Sequence, residues 1–554
     1  MGVGLLGTAA SGLQVFQRAI SVAGNNISNA NNESYSRQRV ELGTLQSSFT
    51  GQGYIGNGVK IESIERMFDQ FTVDRLRETT SSTSQYQTFF NYSARVTDLL
   101  GDADAGLSAG LESFFNAVQT VADDPASIPA RQVLLSESES LVARVQSLDG
   151  QIDSMRREIN ANLDTIVTEI NGLSAGIADI NRSIVDASSH GSGAVPNDLL
   201  DERDAMINRL SELVSVRTVQ QDDGAVNVFV GSGQALVTRF LDSPLQLERN
   251  AFDASQAEIA IVGGGGTTTT ITDNLTGGQI GAVLDFRDQV LNPAQNSLGR
   301  IAISLGTLFN SQHTAGMDLD GAAGTDYFSL PAPLTAASSN NTGTATVTAS
   351  FDTANIDDLT TEDYTLTFNG AAWSLSRVSD GQAVSMTGTG TPADPFLFGG
   401  LSVEVTAGAV AGDRFQIRPT RGGAAGMGLL ISNPREIAAA APAASAAPGD
   451  NSNALLLADL QASLTMENGT TSFQGAYGQL IGQLGTQTRS AEITATAQAA
   501  LKAQAQESRD NLSGVNLDEE AADLIRFQQA YQAIAQVIAV AETTFQTLLS
   551  AVGR

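Results

Sequence analysis

Residues 524–552 read LIRFQQAYQAIAQVIAVAETTFQTLLSAV, and their apolar side chains recur at alternating intervals of three and four. Such spacing places one narrow apolar stripe along an α-helix, where a partner helix covers it. Because burial of the stripe supplies most of a helix's stability, a lone helix of this kind is only weakly stable. The segment therefore predicts a coiled-coil helix that needs a partner. The stripe consists of Leu524, Phe527, Tyr531, Ile534, Ile538, Ala541, Phe545, Leu548 and Val552.

A second stripe with the same spacing lies at the other end of the chain. The two predicted helices need either each other or copies of themselves in an assembly. This requirement favours an axial or filament-type protein over an enzyme. The N-terminal stripe consists of Leu6, Ala9, Leu13, Phe16, Ile20, Ala23, Ile27 and Ala30.

Composition excludes several classes of function. Acidic residues outnumber basic ones 60 to 30 in the 554 residues, so the net charge is −30 and binding to nucleic acid or to an anionic membrane surface is not expected. Cysteine is absent, which excludes disulfides and thiolate chemistry. The two histidines, His190 and His313, are far apart in sequence. The first residues lack the basic region of a Sec signal peptide, so any export is expected to use another route.

The interior of the chain changes character twice. A long apolar seam from Leu141 to Ile184 predicts a rod-like helix, and further helices are predicted over residues 197–213 and 279–313. Residues 332–419 are rich in Thr, Gly and Val and lose the helical period, and Asn369-Gly370 is a strong hairpin signal there. The predicted fold class is multidomain α+β, with a terminal α-helical coiled coil, a long-helix rod domain and an inserted all-β domain.

Three motifs suggest chemistry, but none has the context that the chemistry needs. Gly2, Gly4 and Gly7 match a dinucleotide fingerprint with no preceding strand. The acidic run 318–326 lacks the glycine position and the distal glutamate of a calcium loop, so a surface turn is predicted. The acidic residues 518–520 follow Asn516 and predict a helix cap, with Glu519 completing a capping box. No catalytic residue, cofactor site or metal site is therefore expected.

Several blocks resemble one family. These are AGNNISNAN (residues 23–31) with YSRQ (35–38), NDLLDERD (197–204), DFRDQVLNPAQN (285–296), NSQH (310–313) and SGVNLDEEAADLIRFQQAYQA (513–533). The N-terminal blocks look like the signature shared by flagellar rod, hook and junction proteins. The interior and C-terminal blocks resemble the flagellar hook-associated protein 1 family, whose members form the first hook–filament junction.

The resemblance implies a division into nested domains. Residues 1–35 and 515–554 would form the inner coiled-coil domain, and residues 36–330 a helical rod domain with small β elements. Residues 331–430 would form the inserted β-rich domain, and residues 431–514 the return helices of the rod domain.

The resemblance also implies partners and a location. It predicts a ring of copies of this chain, with hook protein on the proximal side and a second hook-associated junction protein on the distal side. An export chaperone would bind the C-terminal helix, and the protein would be extracellular, on the flagellum, after export without a cleaved Sec signal. The residues predicted to form the assembly interface are Leu6, Leu13, Phe16, Ile20, Asn25, Asn26, Ile27, Leu524, Phe527, Tyr531, Ile534, Ile538, Phe545 and Leu548.

Three alternatives stay open at this point. Another flagellar axial protein, from the hook or distal rod, would share the N-terminal signature but lack the blocks at 197–204 and 285–328. A secreted wall hydrolase would need a carboxylate pair in a cleft, which no motif singles out. An adhesive role of the β domain would be tested by glycan or host-cell binding of residues 332–419.

Overall fold

The computed structural model describes residues 2–49, 53–190, 196–442 and 448–553, without the side chains of Gly2, Val3, His190 and Leu548. The predicted multidomain α+β class is confirmed. A π-helical turn, Arg287–Leu291, joins α6 to α7. The helices are α1 (Gly2–Ser28), α2 (Gln70–Gly101), α3 (Leu107–Asp123), α4 (Ile128–His190), α5 (Asn197–Leu213), α6 (Gly278–Phe286), α7 (Asn292–Thr314), α8 (Gly423–Gly426), α9 (Ser452–Asp459), α10 (Phe473–Ser513) and α11 (Leu517–Val552).

The strands form small antiparallel sheets between these helices. In sheet order they are β1-β4, β2-β3, β5-β6-β7-β8, β11-β10-β9, β12-β21, β13-β20-β15-β16-β17 and β14-β19-β18. Their bounds are β1 (Gln38–Thr44), β2 (Ser48–Phe49), β3 (Tyr54–Ile55), β4 (Val59–Arg66), β5 (Val216–Gln220), β6 (Val226–Val230), β7 (Gln234–Thr238), β8 (Leu241–Asp242), β9 (Leu245–Arg249), β10 (Ala257–Val262), β11 (Thr268–Thr270), β12 (Phe328–Ser329), β13 (Leu334–Ala337), β14 (Val347–Phe351), β15 (Tyr364–Phe368), β16 (Trp373–Arg377), β17 (Ala383–Val384), β18 (Phe396–Phe398), β19 (Leu401–Val405), β20 (Arg414–Arg418) and β21 (Gly428–Leu429).

The helical body is organised around α4, a single helix of 63 residues. Its predicted seam is confirmed, because the apolar positions from Leu141 to Ile184 are buried, apart from half-buried Met155, Leu173 and a few flanking positions. Helices α3 and α5 pack on this seam, and α2 packs against α10 and α6. Each fully buried Leu or Ile contributes about 1.5–3 kcal/mol relative to exposure, so the seam explains why so long a helix is stable.

The β insert, residues 334–418, leaves and re-enters the helical body through a short stem. In the stem Phe328 of β12 pairs with Leu429 of β21. The predicted Asn369-Gly370 hairpin is confirmed: β15 and β16 pair, Gly370 has φ +97°, and the Asn369 side chain accepts hydrogen bonds from the backbone of the turn. The sole tryptophan, Trp373, is half-buried in this insert against Phe368 and Phe415.

Three local predictions were wrong or incomplete. The Gly and Thr run at 263–270 predicts a flexible loop by its composition, but it contains β11, which is held by pairing with β10. Glycines at 51, 53, 56 and 58 predict loops around a short strand at Val59–Ile61, but the strand extends to Arg66, because β4 pairs along its length with β1. Asn516 does cap α11, but the Glu519 carboxylate bonds to Arg37 instead of closing a capping box.

Candidate subunit-assembly interface

The two terminal helices pack against each other as an antiparallel pair. The ring of Phe16 lies 6.2 Å from that of Phe527, and a Cβ at Gly12 would lie 2.7 Å from Cδ1 of Ile534. Moving toward the start of α1 therefore means moving toward the end of α11. This register places the start of α1 opposite the region around Thr544, so the last turns of α11 extend beyond α1.

The buried face of α1 consists mainly of small side chains. The predicted stripe is only partly correct, because its large members, Leu6, Leu13, Phe16, Ile20 and Ile27, are half-buried at the edges. Small residues allow two helix axes to approach closely, and β1 and β4 contact α1 as well. The buried apolar residues of α1 are Ala9, Val15, Ala19, Val22 and Ala23.

Helix α11 is covered on one narrow face only. Of its predicted stripe, Leu524, Phe527, Ile534 and Ile538 are half-buried and Ala541 is buried, whereas Tyr531 and Phe545 are exposed and the Leu548 side chain lies outside the described residues. Contiguous apolar exposure on a soluble protein marks a contact surface. Val552, the last residue of the predicted stripe, is also exposed, as are the other apolar residues Leu517, Ile525, Val537, Val540 and Leu549.

The C-terminal helical run is also apolar enough to pass a simple test for a membrane-spanning helix. By length and composition alone, the helical run Phe473–Val552 contains one stretch that could cross a bilayer. Helices of soluble proteins pass the same test, so this finding is weak evidence for a membrane span.

The buried side-chain amide of Asn26 joins the last turn of α1 to the first turn of α11. Asn26 is 1 % exposed, and its Nδ2 donates to the carbonyl oxygen of Gln38 (2.9 Å) and to Oε2 of Glu520 (3.0 Å). Its Oδ1 accepts from the Tyr35 hydroxyl (2.7 Å) and from the backbone N–H of Gln38 (3.0 Å). All four hydrogen-bonding positions of the amide are thus used. We call Asn26, Tyr35, Arg37, Gln38 and Glu520 the polar knot.

Charge-assisted bonds strengthen the knot. Arg37 Nε donates to Oε1 of Glu520 (2.7 Å), and its NH1 donates to Oε2 of Glu519 (2.8 Å). Burial, followed by the carboxylates of Asp201, Asp198 and Glu520, raises the pKa of Tyr35 to about 12. Its hydroxyl therefore stays protonated at neutral pH and remains a donor to Asn26.

The knot also connects the terminal helices to the helical body. The backbone N–H of Ser36 donates to Oδ2 of Asp201 (3.0 Å) in α5. Arg66 at the end of β4 lies 3.0 Å from Asp201 and 2.6 Å from Asp204, which also pairs with Arg77 of α2 at 2.9 Å. Residues 35–38, 197–204 and 516–520, which are distant in sequence, therefore meet at one place.

The two asparagines predicted for the assembly interface, Asn25 and Asn26, differ in burial: Asn25 is exposed and Asn26 is buried. Asn26 is wholly engaged inside the chain, where all four hydrogen-bonding positions of its amide are used. Asn25 is exposed and donates one long hydrogen bond, 3.3 Å, to the Tyr35 hydroxyl. Sequence reasoning missed the roles of Arg37, Glu520 and Asp201, since nothing local indicates that charges so far apart in the chain will pair.

The histidine and the acidic run that could form a catalytic or metal site make structural hydrogen bonds and ion pairs instead. His313 is buried, its Nδ1 lies 2.6 Å from the Thr325 carbonyl oxygen, and its Nε2 accepts from the backbone N–H of Ala438. The acidic run at 318 is a surface turn, in which Asp318 accepts from two backbone N–H groups and Asp320 pairs with Arg435. Within the described ranges no group of His, Asp and Glu is arranged to hold a metal ion.

Comparisons with known proteins agree along the whole chain. Residues 93–328 match the model of the flagellar hook-associated protein FlgK helical domain, and residues 336–419 match a D2-like domain of flagellar hook-associated protein 1. Residues 507–551 match the C-terminal model of flagellar basal body rod FlgEFG proteins. Flagellar hook-associated protein 1 of Salmonella typhimurium is 33 % identical over 555 residues, which cover 99 % of each chain.

The chain belongs to the flagellar hook-associated protein 1 family. The Escherichia coli K12 relative is 31 % identical over 99 % of both chains. The solved flagellar hook junction protein FlgK of Burkholderia pseudomallei covers 79 % of this family member with a TM-score of 0.73 and 27 % identity. This hook-associated protein 1 family member is a structural flagellar protein and not an enzyme, as the sequence analysis predicted.

Proposed function

We propose that this chain forms the structural junction between the flagellar hook and filament, as a ring of identical subunits. Full-length similarity to flagellar hook-associated protein 1 supports the junction role and disfavours a different axial protein. The observation that carries the assembly role is the apolar surface of α11, which α1 covers on one face only. Contacts that join different surfaces of identical subunits generate rings and helical arrays.

Within such a ring each domain has its own position and role. Residues 1–35 and 515–554 form the inner coiled-coil domain, which meets its neighbours along the axis. Residues 36–330 and 431–514 form the rod domain, and residues 331–430 form the outward β-rich domain. The polar knot holds the inner domain to the rod domain, because its hydrogen bonds and ion pairs reach both.

The resemblance to the hook-associated protein 1 family implies the neighbours. Copies of the chain flank each subunit, with hook protein on the proximal side and a second hook-associated junction protein on the distal side. Before export, a chaperone covers α11, whose exposed residues such as Val540 (64 %) and Leu549 (59 %) would otherwise promote aggregation. The protein acts outside the cell, on the flagellum, after export without a cleaved Sec signal.

The test is deletion of residues 516–554 in the native host. We expect cells with hooks but no filaments, and flagellin lost to the medium, because the subunit loses the surface that joins its neighbours. Electron microscopy counts hooks and filaments, and immunoblotting of the medium follows flagellin. A strain carrying the unaltered chain is the control, and normal filaments in the deletion strain would contradict the proposal.

A further inference from the structure

The β insert touches the helical body at places other than its two chain connections. Ile303 of α7 is part of the buried core of the insert. The backbone N–H of Ser339 donates to the Ala251 carbonyl oxygen (2.9 Å), and that of Asn468 donates to the Asp357 carbonyl oxygen (2.9 Å). The insert is therefore packed on the body at several separate points.

Two carboxylates and two guanidinium groups lie where the insert meets the body. Arg418 pairs with Oδ2 of Asp253, and Arg421 lies 3.9 Å from the same oxygen and 4.0 Å from Oδ2 of Asp363. All four side chains are between 9 % and 15 % exposed. Asp253 belongs to the body, in the β9–β10 connection, and the others belong to the insert or its exit. We call these four residues the hinge cluster.

Helix α7 of the body approaches the same place. Asn296 Nδ2 donates to Oδ1 of Asp363 (3.2 Å) and to the Thr361 carbonyl oxygen (3.0 Å). One turn further along, a Cβ at Gly299 would lie 1.8 Å from the carbonyl oxygen of Thr420. Only glycine leaves room for this backbone contact between α7 and the exit of the insert.

The two carboxylates respond differently to this environment. Burial raises the pKa of Asp363 to about 6, although Arg421 and Arg418 act to lower it; neighbouring Glu362 adds to the rise. Burial also acts to raise the pKa of Asp253, but hydrogen bonds from Ser255 and the charges of Arg418 and Arg421 lower it overall. Docking of the insert thus favours an ionised Asp253 and disfavours an ionised Asp363.

We propose that the hinge cluster locks the β insert onto the helical body as one rigid unit, with the Asp253–Arg418 pair as the lock. Without this ion pair, the insert would stay folded and keep its other contacts with the body, but it would sample a wider range of orientations. This conformational device is independent of where the subunit sits in the flagellum.

Distance measurements on the full chain test the lock. Because the sequence has no cysteine, Ser140→Cys on α4 and Ser374→Cys on the insert, both exposed positions, can carry a pair of spin labels. We expect one narrow distance distribution for the doubly labelled protein at pH 7.5. Asp253→Asn should widen the distribution at least twofold, because Arg418 loses its charged partner. Asp380→Asn, the matched control, should leave it narrow, because this exposed carboxylate forms its ion pair within the insert.

Two further measurements keep the result interpretable. In the unlabelled variants, fluorescence of the single Trp373 reports folding of the insert, and circular dichroism reports the helical body. In the unsubstituted labelled protein, lowering the pH from 7.5 to 5.5 should not widen the distribution, because protonation of Asp363 favours docking. A broad distribution at pH 7.5, widening at pH 5.5, or an Asp253→Asn variant as narrow as its parent would each overturn the proposal.

Discussion

Replacing Asn26 by alanine should open the terminal helix pair without unfolding the helical body. The substitution removes four hydrogen bonds of 2.7 to 3.0 Å from a side chain that is 1 % exposed. At about 1 kcal/mol net for each bond, the loss is about 4 kcal/mol. Water entering the edge of the site recovers part of it, which leaves about 3 kcal/mol, or roughly a 100-fold shift toward the open pair.

Hydrogen exchange followed by mass spectrometry measures this opening in the full chain. Peptides from α1 and α11 should exchange roughly 100-fold faster in Asn26→Ala, whereas peptides from α4 should be unchanged. Asn25→Ala is the matched control, because that neighbour is exposed and its side chain makes only a 3.3 Å bond to Tyr35 and an exposed 3.1 Å bond from Asn29. Equal protection of α1 in the two variants would refute the assignment of Asn26 as the central member of the polar knot.

Three more predictions follow from single sites. Glu520→Gln keeps an acceptor for Asn26 but removes the charge facing Arg37. The free energy of opening the α1–α11 pair, measured by hydrogen exchange, should therefore fall by about 1–2 kcal/mol, less than in Asn26→Ala. Phe545→Glu, at a side chain 47 % exposed, should leave the free energy of unfolding within about 0.5 kcal/mol of the parent while filament counts in electron micrographs fall. Burial lowers the pKa of His313, so protonation of the unfolded chain lowers stability below about pH 6.5; the fall in melting temperature from pH 7 to 5 should shrink in His313→Gln.

Elements held by local patterns were predictable. A helix was predicted at 197–213, and α5 has these bounds. Alternation around Asn369-Gly370 predicted β15 and β16, whose pairing needs only near neighbours. In both cases the residues that determine the structure lie within the element or its turn.

Features that depend on distant partners were not predictable. Spacing marks Leu13 and Ile20 as seam residues, but α11 and the β1–β4 pair together cover α1, and small side chains such as Ala19 occupy its most buried face. Glu519 has the position of a capping-box residue, yet Arg37 offers it a charged partner from the other end of the chain. Neither outcome is encoded in a local window of sequence.

The bond between Asn26 and Glu520 joins residues 494 positions apart, so α1 obtains this partner only from the last part of the chain. A truncated chain that ends before Glu520 contains α1 but lacks both the hydrogen-bond acceptor of Asn26 and the partner helix α11. Its N-terminal helix stays unpaired however well the middle of the chain folds. Formation of the terminal helix pair therefore requires a chain that extends past Glu520.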